Sequence, residues 1–289
     1  MKDNTQLTKV IIIGAGRSGT NMLRDILTSI PKVSTWKCDE INPIWKYGNR
    51  HLVHDELEPS MSNRRIADRI NREFERIARK EGADIVVEKT CANSLRVPYV
   101  FSIVPEAKFI FINRDGRDVV ASAMKRWTSN LDLRYTLKKL QYVPKKDLPF
   151  YVWRYGINRL LRFFRGKNHL SFWGPVYKGM AKDANLISLA EVCSKQWSTC
   201  TLRANLASGI IPNEQKIYLK YEDFVTDPVK ELKCVCDFIG IDEESVDFIS
   251  LVNNVSAKSI GKYQRDNNNI NSENVLKILS DAQKLLGYV

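Results

Sequence analysis

The sequence lacks the long apolar runs and the leader that mark membrane and secreted proteins. None of its apolar stretches approaches the roughly 20 residues that a helix needs to cross a bilayer. Residues 1–6 lead directly into a short apolar segment, so we expect no signal peptide ahead of the fold. These absences exclude a membrane-spanning protein and favour a cytoplasmic one.

Cysteine and histidine are too scattered for a metal site or a disulfide framework. The six cysteines form no paired Cys-x-x-Cys motif, and there are three histidines. Cys234 and Cys236 fall on a predicted helix, where side chains two positions apart do not face each other. We therefore expect reduced, mostly packed thiols and no metal cofactor.

Positive charge is concentrated in one aromatic segment, residues 133–178. This basic segment holds eleven Lys or Arg residues against one acid, Asp147, and so carries most of the net charge of +12. Trp153 and Phe164 alternate there with arginines at helical spacing, which is typical of a basic amphipathic helix. The helix could bind an anionic acceptor, lie on an anionic membrane, or pack on the core with a solvated arginine face. No nucleic-acid motif accompanies the charge, so we expect no nucleic-acid partner.

Short apolar segments alternate with amphipathic ones along the rest of the chain. The predicted strands are residues 10–13, 33–37, 84–87, 108–113 and 216–220. The predicted helices are residues 20–29, 62–80, 116–126, 190–207, 228–239 and 272–286. This alternation predicts an α/β fold with a buried parallel sheet between two helical layers. We expect one domain over residues 1–289, with the basic aromatic insertion at about residues 129–182.

Two loops, far apart in the sequence, share one pattern. Residues 10–21 and 109–122 each read as a buried strand, a turn with an arginine, and the start of a helix that carries a serine or threonine. Backbone N–H groups and the helix dipole favour an anion at such a turn. Two such loops suggest a ligand with phosphate groups at both ends.

The first loop alone allows three interpretations. Gly14 and Gly19 have the spacing of a phosphate-binding P-loop, but Thr20 and Asn21 replace the required Lys-Ser/Thr pair, which disfavours an ordinary ATPase or kinase. Gly14, Gly16 and Gly19 also match a dinucleotide fingerprint, with an acid roughly twenty residues later. That match gives Arg17 no task and leaves the second loop unexplained.

The third interpretation is a resemblance to the sulfotransferases that use 3′-phosphoadenosine 5′-phosphosulfate (PAPS). Residues 17–21, Arg-Ser-Gly-Thr-Asn, resemble the family's 5′-phosphosulfate loop, and residues 114–122 resemble its 3′-phosphate motif. Residues 88–90, Glu-Lys-Thr, and the Tyr-Glu-Asp at residues 221–223 resemble two further elements in family order. The resemblance runs from Val10 to about Tyr263 and implies a P-loop NTPase-like sulfotransferase fold with a helical insertion.

The resemblance also implies which residues bind PAPS. Arg17 and the N–H groups of residues 18–21 would hold the 5′-phosphosulfate, and Arg114 with Ser122 would hold the 3′-phosphate. Arg126, Tyr221 and Lys262 resemble further nucleotide contacts. The predicted cofactor-binding set is therefore Arg17, Ser18, Gly19, Thr20, Asn21, Arg114, Ser122, Arg126, Tyr221 and Lys262. The sequence leaves open that Arg17 and Arg126 are solvated surface residues and that Tyr221 only packs.

The predicted catalytic residues are Lys89 and Glu40. Lys89 follows a buried strand, where an ammonium is costly without an anion, and we assign it to the bridging oxygen of the leaving group; a salt bridge is the alternative. The cytosolic small-molecule branch has a histidine base where this chain has Cys91. Glu40 instead resembles the glutamate base of the tyrosylprotein branch and would need a raised pKa near neutral pH. Asp39 or Glu40 could instead cap a turn, and His51 and His54 are the reserve candidates for the base.

The resulting prediction is sulfuryl transfer from PAPS to a hydroxyl or amine by in-line displacement. The acceptor class stays open among glycans, lipids, peptides and small molecules. Two other classes compete with this prediction. An NAD(P)-dependent Rossmann oxidoreductase predicts nicotinamide binding and indifference to Arg114. A non-enzymatic basic protein that docks on membranes or nucleic acid predicts steeply salt-dependent binding.

Overall fold

A parallel five-stranded sheet forms the centre of the described structure. The computed structural model describes residues 7–128, 173–265 and 270–288. The strands are β1 (Thr8–Ile13), β2 (Val33–Ser34), β3 (Ile85–Lys89), β4 (Lys108–Asn113) and β5 (Lys216–Lys220). Their order is β2-β3-β1-β4-β5, and every neighbouring pair is parallel. The predicted parallel α/β fold is confirmed.

The strand order separates this sheet from the dinucleotide-binding one. In the Rossmann order the second strand lies beside the first. Here β3 takes that place, pairing Val10 with Val87, while β4 lies on the other side of β1. The oxidoreductase alternative is therefore disfavoured by topology, although the glycine spacing of the first loop matches it.

Three strands differ in their bounds from the sequence prediction: β1 begins two residues earlier, and β2 and β3 differ as follows. β2 ends at Ser34 instead of Lys37, because the chain then leaves the sheet toward Glu40. β3 extends through Lys89, which pairs with Ile12 in the register of β1. Lys89 is thus the last residue of a buried strand and does not follow it.

The six helices that the sequence predicts are present among the described residues, with ends that differ from the prediction by at most two residues, and five shorter helices accompany them that the sequence did not predict. They are α1 (Thr20–Leu27), α2 (Asn42–Trp45), α3 (Arg64–Glu81), α4 (Val97–Ile103), α5 (Gly116–Thr128), α6 (Met180–Leu186), α7 (Leu189–Ala207), α8 (Tyr221–Thr226), α9 (Pro228–Ile239), α10 (Phe248–Val252) and α11 (Glu273–Leu286). Short 3₁₀ turns at Cys91–Leu95, Ala257–Ser259 and Lys262–Gln264 border the carboxyl edge of the sheet.

Alternating side chains of the strands bury both faces of the sheet. In β1, Val10 and Ile12 pack against α1 and α9, whereas Ile11 and Ile13 pack on the face covered by α2, α3 and α4. A third apolar cluster joins α5, α6, α7 and α11 beyond the edge of β4. The layers are therefore helix, sheet and helix, as expected for a parallel sheet buried on both sides.

Only the end of the predicted basic aromatic insertion is described. Residues 129–172, including the amphipathic pattern around Trp153, lie outside the described residues, so the alternatives for that pattern stay predictions. The described end begins at Trp173, whose carbonyl accepts a hydrogen bond of 2.7 Å from Gln196 of α7. Trp173 lies against Gly16 of the first loop, where an added Cβ would come within 3.0 Å of the indole.

The described helices include none that is long and apolar enough to span a membrane. The cysteines are present as free thiols, four of them buried, one half-buried and one exposed. Cys234 faces solvent while Cys236 packs in the core, so the two side chains diverge as expected.

Candidate active site

The first loop places a helix N-terminus at the carboxyl end of β1. Gly19 has a φ of +91° and Arg17 a φ of +76°, so the chain turns sharply through the left-handed region. No side chain among the described residues caps the start of α1. The N–H groups of its first turn are therefore available to an anion, supported by the helix dipole.

Arg114, at the end of β4, ties the two loops together. It is 6% exposed, and its Nη1 donates to the carbonyl of Arg17 at 3.1 Å while its Nη2 donates to the carbonyl of Ser259 at 2.8 Å. Its guanidinium lies 4.1 Å from the centre of the Tyr221 ring. Its buried Nε has no hydrogen-bond partner within the described residues. Arg114 thus holds the loops through its two Nη atoms, and its Nη2 also lies 3.7 Å from Asp118 Oδ2.

Three guanidinium groups converge where the loops meet. Arg17 Nε donates to Ser122 Oγ at 2.8 Å, and Arg126 lies one turn beyond Ser122 on α5. Burial, followed by the charges of Arg126 and Arg114, lowers the pKa of Arg17 below its ordinary value. We call Arg17, Arg114 and Arg126 the arginine cluster. Like charges held this close favour a bound anion, because an anion relieves their repulsion.

The loop of residues 259–263 is anchored to α5 next to the arginine cluster. Both oxygens of Asp118 accept backbone hydrogen bonds, at 2.8 Å from Gly261 and 3.0 Å from Tyr263. Lys262 lies between these two residues and is exposed. The hydroxyls of Tyr221 and Ser259 are 2.5 Å apart. The structure thus brings Lys262 and Tyr221 to the same edge as the second loop.

Asp118 and Ser259 are two residues of this site that the sequence did not indicate. Asp118 lies within the second motif, residues 114–122, but the family resemblance implies no role for it. A buried acid in the first turn of a helix after an anion loop is the signal that could have marked it. Ser259 has no motif, and only its contacts with Arg114 and Tyr221 reveal it.

The helix α11 contacts the second loop at the turn that begins α5. Gln283 Nε2 donates to Asp115 Oδ1 at 3.1 Å, and Gln283 Oε1 accepts from the Gly116 N–H at 3.4 Å. Gln283 is 4% exposed. One amide group from the end of the described chain therefore fixes the turn that begins α5.

Glu40 and Lys89 form an ion pair beside the first loop. Lys89 Nζ lies 3.3 Å from Glu40 Oε1, which also accepts a hydrogen bond of 3.3 Å from the Cys91 N–H. The Lys89 side chain is 2% exposed and that of Glu40 is 21% exposed. Glu40 is thus the member of the pair that solvent or a ligand can reach more easily.

The surroundings keep Lys89 protonated. Burial alone lowers the pKa of Lys89, but the neighbouring Cys91 and Glu40 raise it, and the net pKa lies above its ordinary value. Burial raises the pKa of the Cys91 thiol to about 12, so this thiol carries no charge near neutral pH. Glu40 is therefore the anion that stabilises the Lys89 ammonium.

The reserve candidates lie on the segment after α2. His51 is exposed, and the backbone carbonyl of His54 accepts a hydrogen bond of 2.8 Å from Lys46 Nζ. Cys91, in the position where the cytosolic branch has its histidine, lies 3.6 Å from Thr20 Oγ1. A neutral thiol of this kind is a poor proton acceptor.

Comparisons with known proteins identify the family and the fold. A model of the sulfotransferase family matches residues 9–170. The sulfotransferase domain from the curacin biosynthetic pathway is 14% identical, with a TM-score of 0.53 over 98% of this chain and 99% of that one. The sulfotransferase domain of the Synechococcus PCC 7002 olefin synthase is 17% identical, with a TM-score of 0.56 over 98% and 96% of the two chains.

A third solved structure carries a nucleotide. Mouse sulfotransferase SULT7A1, solved in complex with PAP, is 13% identical, with a TM-score of 0.51 over 96% of this chain and 85% of that one. The curated protein sequences provide no match. At these identities the solved structures show a shared fold.

Proposed function

Because the chain belongs to the sulfotransferase family, it is an enzyme of sulfuryl transfer, and we propose that its donor is PAPS. PAPS supplies an activated sulfuryl group together with a 5′-phosphate and a 3′-phosphate. The acceptor would be a hydroxyl or an amine. The residue roles below are part of the same proposal.

The arginine cluster is the observation that supports PAPS most directly. It lies where the two loops touch, next to the uncapped start of α1, so it can meet an anion at each end of the ligand. The lowered pKa of Arg17, and the Nε of Arg114 that has no hydrogen-bond partner among the described residues, both fit a strongly anionic ligand. A nicotinamide dinucleotide would need no such concentration of charge at the second loop.

We assign the two halves of the ligand to different parts of this edge. Residues 18–21, at the end of the first loop and the start of α1, would hold the 5′-phosphosulfate through backbone N–H groups. Arg114, Ser122 and Arg126 would hold the 3′-phosphate, with Arg17 between the two. Tyr221 and Lys262 would border the adenosine. The contact of Arg17 with Ser122 supports a role for Arg17 nearer to the 3′-phosphate than the sequence suggested.

The ion pair would provide the chemistry. Lys89, buried and protonated, would stabilise the negative charge that develops on the leaving phosphate oxygen. Glu40, the more exposed partner, would accept the proton of the acceptor hydroxyl or amine. Its contacts with Lys89 Nζ and the Cys91 N–H hold the Glu40 carboxyl group beside the ammonium of the pair. The roles proposed for these residues are ligand binding, proton transfer and charge stabilisation.

The acceptor is open among a glycan, a lipid, a peptide and a small molecule. Trp173 contributes an aromatic surface beside Gly16 of the first loop. The positive charge of residues 133–178 favours an anionic acceptor, or an acceptor presented at an anionic membrane surface. A cytoplasmic location and a single domain over residues 1–289 stay predictions.

The test is a calorimetric titration of the purified protein with PAP, the desulfated product, with AMP and NADH as controls. We expect selective micromolar binding of PAP, reduced at least tenfold in Arg17→Met. A matched Arg203→Met variant, which changes an arginine paired with Glu56 and Glu58 away from the loops, should bind PAP normally. Preferred binding of NADH, or equal affinity for AMP and PAP, would contradict the two-phosphate interpretation.

A further inference from the structure

A series of hydrogen-bonded, mostly buried polar side chains adjoins the Glu40–Lys89 pair and has no role in the proposed chemistry. Glu88 and Arg96 are both 0% exposed. Asn93 joins them, because its Nδ2 donates to Glu88 Oε2 at 2.8 Å and its Oδ1 accepts from Arg96 Nε at 2.9 Å. Glu88 belongs to β3, while Asn93 and Arg96 belong to the turn that follows it.

This hydrogen-bonded series continues from Arg96 into the segment that carries Glu40. Arg96 Nη2 donates to Asn42 Oδ1 at 2.7 Å, and Asn42 Nδ2 donates to Asp55 Oδ1 at 3.0 Å. Asp55 Oδ2 in turn accepts from the Val176 N–H at 2.9 Å. Five polar side chains therefore link β3, the turn after it, α2 and the described end of the insertion.

Both members of the proposed catalytic pair are close in sequence to residues of this hydrogen-bonded series. Lys89 directly follows Glu88, and Glu40 lies two residues before Asn42. A second link, from the Ile41 N–H to Thr90 Oγ1 at 3.1 Å, joins the same two segments. Together with the ion pair and the hydrogen bond from the Cys91 N–H to Glu40, the contacts of these neighbours help to fix the distance between Glu40 and Lys89.

A contribution to the stability of the folded state is a weak explanation for burying these hydrogen-bonded polar side chains. Burying a guanidinium and a carboxyl carries a desolvation cost, and well-packed apolar residues often give equal or greater stability than a buried ionic network. Arg96 Nη1 and Glu88 Oε1 also lack hydrogen-bond partners within the described residues. Such a network can instead serve to fix the relative positions of the segments that it joins.

We infer that Arg96, with Asn42, is a positioning residue that holds Glu40 in contact with Lys89 for sulfuryl transfer. The inference rests on the proposed function, since it assumes that Glu40 is the base. Arg96 touches neither ligand nor reacting atoms and acts only by fixing the segment that carries Glu40. Its planar guanidinium bridges Asn93 and Asn42 at once, which a lysine cannot reproduce.

The first measurement compares kcat, the KM for PAPS and the affinity for PAP in the wild type, Arg96→Lys and Arg203→Lys. Displacement of a catalytic group by about 1 Å costs roughly 100-fold in rate. We expect Arg96→Lys to lose about that factor in kcat while the affinity for PAP changes less than threefold. Arg203→Lys, which also contacts the turn through the Leu95 carbonyl, should keep its kcat.

The second measurement is a double-mutant cycle between Arg96→Lys and Glu40→Gln. If Arg96 acts through Glu40, its replacement should cost little more once Glu40 is lost, so the two losses should not multiply. Multiplying losses, or a parallel fall in the affinity for PAP, would overturn the inference and leave the proposed function intact. A fully active Glu40→Gln variant would overturn both the base and the inference.

Asn42→Ala provides the same test with less risk of unfolding, because Asn42 is only half-buried. It removes the amide that connects Arg96 to Asp55 and leaves the arginine in place. We expect a smaller loss of kcat than in Arg96→Lys, again with unchanged affinity for PAP and again without multiplication in the Glu40→Gln background. A wild-type kcat in Asn42→Ala would contradict the inference even if Arg96→Lys failed to fold.

Discussion

Replacing Gly19 with alanine should destabilise the protein by more than its backbone conformation explains. Gly19 has a φ of +91°, and a Cβ built on it would lie 2.4 Å from Cδ2 of Tyr221. Tyr221 cannot move aside easily, since Arg114 stacks on its ring at 4.1 Å and Ser259 holds its hydroxyl. The new methyl group would therefore meet a ring that is fixed on its other sides.

The expected loss in the free energy of unfolding of Gly19→Ala has two parts. An alanine in the left-handed region costs about 1–2 kcal/mol in the free energy of unfolding. Overpacking against a fixed ring adds about 1–3 kcal/mol. Gly82 provides a matched control, because its φ is +62° and a Cβ there would meet nothing within 4 Å. We expect Gly82→Ala to show the backbone cost alone, and Gly19→Ala to show both.

Urea unfolding of the wild type and the two variants measures this difference directly. The affinity of each folded variant for PAP is then measured, and we expect a loss of at least tenfold for Gly19→Ala and none for Gly82→Ala. Equal loss of stability in the two variants would refute the close packing of Gly19 on Tyr221. An unchanged affinity for PAP in Gly19→Ala would refute the assignment of the first loop to the ligand.

Three further outcomes are expected. Lys89→Ala should lower kcat by roughly 100- to 1,000-fold and change the affinity for PAP far less; equal losses would contradict a catalytic role. Burial raises the pKa of Glu88 to about 7, so the folded state binds this proton more tightly than the unfolded state. Relative to Glu88→Gln, the wild type should therefore lose roughly 3 kcal/mol of stability as the pH rises from below 4.5 to above 7; a flat difference would contradict the raised pKa. An aromatic disulfide reagent should modify exposed Cys234 quickly and buried Cys91 only on unfolding, and fast loss of both thiols would count against the packing of Cys91.

The fold was largely readable from the sequence because its strands are short, apolar and rich in β-branched residues. The helix Pro228–Ile239 begins and ends as predicted, since Pro228 fits a first helical position and Gly240 a left-handed end. The strand at Val33 was predicted too long, because Trp36 is buried for packing on Phe74 and not as part of the sheet. Local patterns do not distinguish these two reasons for burial.

The site was predictable as a set of residues but not as a set of contacts. The loop motifs brought Arg17, Arg114 and Ser122 to one edge of the sheet, as the parallel strands require. The sequence did not show that Arg114 is buried under the loops or that Arg17 reaches Ser122. These contacts depend on side-chain directions across more than ninety intervening residues, and no local pattern encodes them.

The contact of Gln283 with Asp115 and Gly116 has a consequence for the order in which the site matures during synthesis. These partners are separated by 167 and 168 positions, so the turn that begins α5 waits for its support until the ribosome has made α11. Domains form as chains emerge from the amino end. A nascent chain released before Gln283 would carry every proposed ligand-binding and catalytic residue and still lack a finished pocket. Nucleotide affinity should therefore depend on the segment that carries Gln283, and products truncated before this residue should bind the donor weakly.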